Sequence, residues 1–256
     1  MEENVYSSLS TEVYDIINAE APVDALEFYL RRLETGEEPV LEPMCGSGRF
    51  LIPFLERGID IDGIDASHFM LQKCRQRCEM KGLTPVLYEQ FMQKLELPRR
   101  YGYIFIPAGS FCLITDEKDA RESLKRLYQH LLPRGKLVIE VMTPQAHTKA
   151  PGQSSKIWLE CDDGAYISIS RLPTYNPETQ IQRCTSRYEL FEKGCAPREE
   201  IETIELHLYE RNEFYNLLKT FSFIEIKTSK AYVDKEPDAE DSIIIFECRK
   251  NKLTTD

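Results

Sequence analysis

The stretch Val40-Leu41-Glu42-Pro43-Met44-Cys45-Gly46-Ser47-Gly48-Arg49-Phe50 constrains this chain more than any other. A short apolar run enters a Gly-x-Gly turn and leaves it as a helix, so bare backbone amides face whatever approaches the helix N-terminus. About 20 residues on, Asp65 ends a second apolar run, Ile59 to Asp65. A carboxylate there is placed to accept hydrogen bonds from both hydroxyls of a ribose. Turn and acid together describe a nucleoside-binding edge on a parallel sheet.

The surrounding pattern extends that sheet. From Glu38 to Pro144, short apolar runs alternate with amphipathic stretches. Val40 to Glu42, Ile59 to Asp65, Pro85 to Tyr88, Tyr103 to Pro107 and Lys136 to Met142 read as five strands. The helices between them are expected at Arg49 to Arg57, from the cap Ser67 to Met80, and at Asp116 to Leu131. Right-handed crossovers then give a doubly wound α/β sheet. After Thr143 the segments alternate polar and apolar residues around the turns Asp163-Gly164 and Asn176-Pro177, an antiparallel meander reaching about Tyr209. A helix from Glu210 to Thr220 and strands at Phe223 to Thr228 and Ser242 to Cys248 complete the first sheet. The expected division is an N-terminal helical segment, 1–35; a nucleoside-binding domain from 36–150 and 205–250; and a β insertion, 151–204, roofing the site.

Charge excludes several partners. The 256 residues hold 32 Lys and Arg against 43 Asp and Glu, a net charge of −11, which disfavours phosphate backbones and anionic membrane surfaces. The start Met1-Glu2-Glu3-Asn4 has neither the basic nor the apolar character of a targeting segment. The most apolar stretch, Tyr103 to Thr115, is too short to cross a bilayer. Eight cysteines without a secretion signal are expected as reduced thiols, and the location as cytoplasmic. Cys74 and Cys78 share a helix face with Met70 and read as an apolar stripe rather than a metal site; no two of the four histidines lie within one turn. No metal is expected.

Two nucleoside cofactors suit a Gly-x-Gly turn followed by an acid. A dinucleotide fingerprint carries a third glycine where this chain has Leu51, and Glu42 just before the turn repels a diphosphate. A zwitterionic sulfonium ligand fits better; a nicotinamide-dependent oxidoreductase stands as the rival enzymatic reading.

Here the sequence resembles the class I S-adenosylmethionine-dependent methyltransferases, whose first motif has the form Glu-x-x-Cys-Gly-x-Gly. The similarity spans residues 40 to 144. It rests on the glycine turn, on Ile64-Asp65-Ala66-Ser67, and on Leu132-Pro133-Arg134-Gly135-Lys136-Leu137, with Arg134 where a glycine is commoner. The resemblance implies a Rossmann-like seven-stranded methyltransferase sheet with the β insertion between strand five and the last helix, and S-adenosyl-L-methionine as cofactor. It implies a cofactor-binding set of Glu42, Cys45, Gly46, Ser47, Gly48 and Arg49 around the methionine part, and Asp65 on the ribose. Ala66 and Met70 would border the adenine, with Phe91 and Met92 in place of the family's Gly-Asp-Met, and Pro107 would end strand four.

Within the family the layout is most similar to small-molecule enzymes, including amino-sugar N,N-dimethyltransferases. The carriers are Tyr14-Asp15, the antiparallel insertion, and Tyr209-Glu210-Arg211-Asn212-Glu213-Phe214 leading the last helix. The resemblance also implies a homodimer through the insertion. Pro107-Ala108-Gly109-Ser110-Phe111 stands where DNA and protein-glutamine enzymes carry Pro-Pro-Tyr, so DNA is not an expected partner. The expectation is methyl transfer to a nitrogen or oxygen of a small-molecule acceptor, with positioning supplying most of the rate. Tyr14, His147 and His207 are the candidate catalytic side chains. Trp158, Tyr166, Tyr175, Tyr188 and Tyr209 either line the acceptor pocket or pack the meander, and Pro197 to Glu202 reads as a solvated acidic edge. A methyltransferase-like binding or regulatory module without turnover is the third reading.

Overall fold

The computed structural model describes residues 6–33, 38–147, 151–161 and 164–252. Two helices come first, α1 (Ser8–Ile17) and α2 (Val23–Leu30). Strands and helices then alternate: β1 (Val40–Pro43), α3 (Leu51–Leu55), β2 (Ile61–Asp65), α4 (His68–Met80), β3 (Val86–Glu89), β4 (Tyr101–Ile106), α5 (Glu117–His130) and β5 (Leu131–Met142). An antiparallel block follows, β6 (Ser155–Glu160), β7 (Tyr166–Asn176), β8 (Ile181–Phe191) and β9 (Arg198–His207). The chain closes with α6 (Arg211–Lys219), β10 (Phe223–Lys230) and β11 (Ile243–Lys250).

One sheet has the order β10-β11-β5-β4-β1-β2-β3, with β1 to β5 parallel and β11 antiparallel to both β5 and β10. The expected doubly wound, seven-stranded sheet is therefore present. Alternation along β4 explains why helices cover both faces. Tyr103 and Phe105 point into a layer with Phe28, Tyr29, Phe50 and Phe54, while Ile104 and Ile106 point into one with Leu124, Leu127, Phe214 and Leu218. All these rings and branched chains are buried, each contributing about 1.5–3 kcal/mol of transfer free energy.

The ends of elements follow local chemistry. Ser67 caps α4 by accepting from the Met70 amide at 3.2 Å, and Glu210 and Glu213 form a capping box on α6. The first α/β helix is shorter than expected: it starts at Leu51, and Arg49 remains in the turn. Residues 131–142 run as one strand, because the turn at Pro133-Arg134-Gly135 is absorbed as an irregularity opposite Tyr101 and Tyr103. Arg134 takes a left-handed φ of 66°, which explains why glycine is commoner there.

The second sheet, β6-β7-β8-β9, is a continuous meander. It has its own core, in which Ile167, Ile169, Tyr188 and Leu190 pack on Leu9 and Val13 of α1. Trp158 and Tyr166 are exposed, whereas Tyr188 and Tyr209 are buried. Residues 197–202, expected as a solvated acidic edge, largely form β9; Glu200 accepts from the Leu9 amide at 2.8 Å and Glu202 from the Ser7 amide at 2.9 Å. Carboxylates of that run thus serve as hydrogen-bond acceptors for the start of α1. Among the described residues no helix is long and apolar enough to cross a membrane, and no three His, Cys, Asp or Glu gather as metal ligands. The eight cysteines carry free thiols, with Cys74 and Cys78 buried on the Met70 face of α4.

Candidate active site

The carboxyl ends of β1, β2 and β4 open into a cleft of about 1700 Å³ beneath β9. Its base is the junction of turn and acid. Asp65 Oδ2 accepts from the Gly46 amide at 2.9 Å, and Oδ1 accepts from the Ser67 amide at 2.8 Å. The Cys45 amide donates to the Ile64 carbonyl at 2.8 Å, which sews the turn onto the end of β2. Removal from water lifts the Asp65 carboxyl to about 6, and the backbone amides only partly offset this.

The turn needs its glycines for different reasons. Gly46 has φ 55° and presents its amide to Asp65. Gly48 has φ 84°, and a Cβ there would stand 2.6 Å from Cys74 Sγ. The helix behind the turn is therefore packed against bare backbone. Arg77 of α4 fixes the turn from outside, donating to Ser47 Oγ at 3.2 Å and to Asp15 Oδ1 at 2.9 Å. Asp15, singled out in sequence as half of a Tyr-Asp pair, is the anchor of this clamp, whereas Arg77 gave no sequence signal and is buried on α4.

Glu42 is buried where β1 meets the turn, and its Oε2 atom has no hydrogen-bond partner. Burial pushes its carboxyl well above the ordinary range, against the attraction of Arg49. Arg49 lines the cleft with its guanidinium 5.6 Å from the centre of the Tyr14 ring. Tyr14 in turn meets Tyr6 edge to face at 5.5 Å.

Of the residues singled out from sequence, Tyr14, Gly46, Arg49, Asp65, Ala66, Met70, Phe91 and Met92 line the cleft. Glu42, Cys45, Ser47, Gly48 and Pro107 support it from behind. Cys45 is buried, and the Pro107 carbonyl accepts from Ser110 Oγ at 2.9 Å. His147 stands away from the cleft wall, stacked on Tyr175 with ring centres 4.7 Å apart. His207 likewise stacks on Tyr209 and bonds Glu213 Oε1 at 2.9 Å.

Sequence reasoning missed two contributions. Buried Glu140 accepts from Tyr29 Oη at 3.0 Å, Tyr232 Oη at 3.1 Å and the Ala108 amide. It thereby holds the left-handed pair Ala108 and Gly109 at the cleft wall. The inner side of β9 supplies Glu202, Ile204 and Leu206. In sequence the meander reaches about Tyr209 but residues 197–202 read as a solvated edge, and nothing there marks which strand overhangs the site.

Residues 40–135 match a family model described as a methyltransferase domain. YqeM of Bacillus subtilis (strain 168), a methyltransferase by assignment, is 23% identical over 254 residues, covering 94% of this chain and 95% of that protein. The fold is similar to that of an S-adenosylmethionine-dependent methyltransferase from Clostridium acetobutylicum ATCC 824, with TM-score 0.77 and 17% identity over 94% of this chain and 97% of the other. It is also similar to the sugar N-methyltransferase KedS8 from Streptoalloteichus sp ATCC 53650, with TM-score 0.75, 18% identity and 98% of each chain covered.

Proposed function

We propose that this chain is a class I S-adenosylmethionine-dependent methyltransferase that moves the methyl group of S-adenosylmethionine to a nitrogen or oxygen of a small molecule held under β9. The observation that carries the reading is the junction of Asp65 with the Gly46 turn at the floor of the cleft. Asp65 accepts from the Gly46, Ser67 and Ala66 amides, and a carboxylate's roughly four acceptor positions leave room for a ribose hydroxyl. The unpartnered Glu42 oxygen suits the ammonium of the methionine part, and Arg49 suits its carboxylate. Ala66, Met70, Phe91 and Met92 give the adenine an apolar border. A diphosphate has no comparable welcome, since Glu42 before the turn is acidic and Leu51 fills the place of a third glycine.

When bound, the sulfonium supplies an electrophilic methyl carbon. The chain's own task is to hold the acceptor in line with it and to exclude water, which is worth roughly 7–11 kcal/mol when orientation is right. Tyr14 is the one sequence-nominated catalytic candidate at the cleft wall; burial raises its phenol pKa although Arg49 opposes the shift. A neutral phenol there donates a hydrogen bond and presents an aromatic face. The likeness to KedS8 supports nitrogen over oxygen as the acceptor atom.

Calorimetric titration with S-adenosylhomocysteine, with NADH as comparison, tests the reading. Micromolar binding of the former alone is the expected result; a preference for NADH, or binding of neither, removes the proposal.

A further inference from the structure

β9 is an edge strand: among the described residues it pairs with β8 on one side and with no strand on the other. The register tells which of its backbone groups are spent on β8. The Leu208 amide donates to the Gln180 carbonyl at 2.9 Å, one step beyond the opposed pair Ile181 and His207. Bonded pairs recur at every second residue of an antiparallel ladder, so the backbone groups of Glu202, Ile204 and Leu206 also go to β8. The N–H and C=O of Ile201 and Thr203 therefore point the other way, off the open edge. No described residue is bonded to them.

That edge faces the cleft. Successive side chains of a strand alternate between its two faces, yet all six residues from Ile201 to Leu206 line the cavity, as only a strand met edge-on can do. The cavity is also long. At about 1700 Å³ it exceeds the roughly 300–1,000 Å³ of small-ligand sites, and it runs from Asp65 to Thr115 and Lys118 by the start of α5. Native sheet edges are commonly kept short, bulged or interrupted by proline, whereas β9 keeps an unbroken register from Arg198 to Leu206 without a proline. A second copy of β9 does not suit the open groups. An antiparallel pair centred on them would set Glu202 against Glu202 and Glu199 against Glu205.

We propose that the acceptor is a short peptide, laid as an extended strand on the open edge of β9 with an amino group toward the cofactor. The inference rests on the methyltransferase reading above and names its substrate class. Ile201 and Thr203 each offer one donor and one acceptor, about 6.8 Å apart along the strand. That is the repeat at which every second residue of an extended peptide presents its own N–H and C=O to one side. Three peptide residues, about 10 Å long, fill both positions, and a sugar or a single amino acid does not. Main-chain bonds of this kind supply affinity while alternate side chains supply specificity. In the reaction the amine sheds its proton to solvent. Its lone pair forms the new N–C bond while the C–S pair returns to sulfur as a thioether.

The test uses the full chain with labelled S-adenosylmethionine and every tripeptide amide that can be built from Lys, Val and Thr, with glucosamine and lysine amide as compact amines. At least one peptide is expected to be methylated with kcat/KM at least about tenfold above both compact amines. N-methylation of its two internal amide nitrogens, one at a time, should then show the period of a strand, because neighbouring N–H groups point to opposite edges. One position loses at least about tenfold and the other stays within about threefold. Thr203→Pro removes an N–H that β8 does not use, and edge strands accept proline. It should lower peptide methylation at least about tenfold more than Thr203→Val does, with S-adenosylhomocysteine affinity within about twofold. The N-methyl pair needs no variant to fold. Compact amines methylated as well as the best peptide, no peptide methylated, or equal losses at both N-methyl positions overturns the proposal. So does a folded Thr203→Pro protein that methylates the peptide as Thr203→Val does. Failure of the wild type to bind S-adenosylhomocysteine would instead remove the methyltransferase reading beneath it.

Discussion

Gly48→Ala should destabilise the protein by an amount that can be separated into two parts. The backbone at 48 is left-handed, with φ 84°, and an L-residue there costs about 1–2 kcal/mol. The added methyl also meets Cys74 Sγ at 2.6 Å and the Ile52 Cγ1 and Cδ1 atoms at 3.2 and 3.3 Å. Overpacking of that kind adds about 1–3 kcal/mol, for a total of about 2–5 kcal/mol. Gly58 provides the control, since its φ is 72° and a Cβ there has nothing within 4 Å. Gly58→Ala should therefore cost only the backbone part. Cys74→Ala removes the sulfur, and in a double-mutant cycle with Gly48→Ala it should return about 1–2 kcal/mol of coupling. Urea denaturation followed by circular dichroism measures all four variants. Equal losses for Gly48→Ala and Gly58→Ala, or a cycle with no coupling, would show that the turn does not press on α4 as described.

Two further outcomes follow from the same geometry. Asp65 ionises at about 6, and the ionised form is the better acceptor for ribose hydroxyls, so S-adenosylhomocysteine affinity should be level above neutral pH and fall as pH drops through 6. From pH 7 to pH 5 the loss is about tenfold; calorimetry across that range decides it, and Asp65→Asn should bind weakly with little slope. Glu140→Ala strands the donors of Tyr29, Tyr232 and Ala108, each costing about 1–3 kcal/mol when left unpaired, so denaturant unfolding should show a loss of at least about 3 kcal/mol, against a smaller loss for Glu140→Gln.

The parallel half of the fold was legible because its signals are local. A strand, a glycine turn, a cap such as Ser67 and an acid at a strand end each declare themselves within a few residues. The helix after the turn came out short because Arg49 and Phe50 complete the turn and Pro53 sits within the first helical residues, a conflict that propensity alone does not resolve. The cofactor side of the cleft could be nominated for the same local reason. The side under β9 could not, because that strand reaches the cleft through contacts distant in sequence, such as Glu202 accepting from the Ser7 amide. His147 and His207 illustrate the converse. Their segments flank the cleft, yet stacking on Tyr175 and Tyr209 turns both rings to local packing.

The roof's separate core sets how the protein opens. Ile167, Ile169, Tyr188 and Leu190 close on Leu9 and Val13 in a cluster distinct from the two that sandwich the seven-stranded sheet. So small a cluster stores less free energy than its neighbours, and it is joined to the floor near the cleft by a few hydrogen bonds such as those of Ser67 and Arg77. The meander and α1 therefore form one cooperative unit that can come away while the larger sheet keeps its amides protected from exchange. Ligand exchange through such partial unfolding would need far less than global denaturation, and a bound ligand touching both layers would slow hydrogen exchange across the whole meander at once.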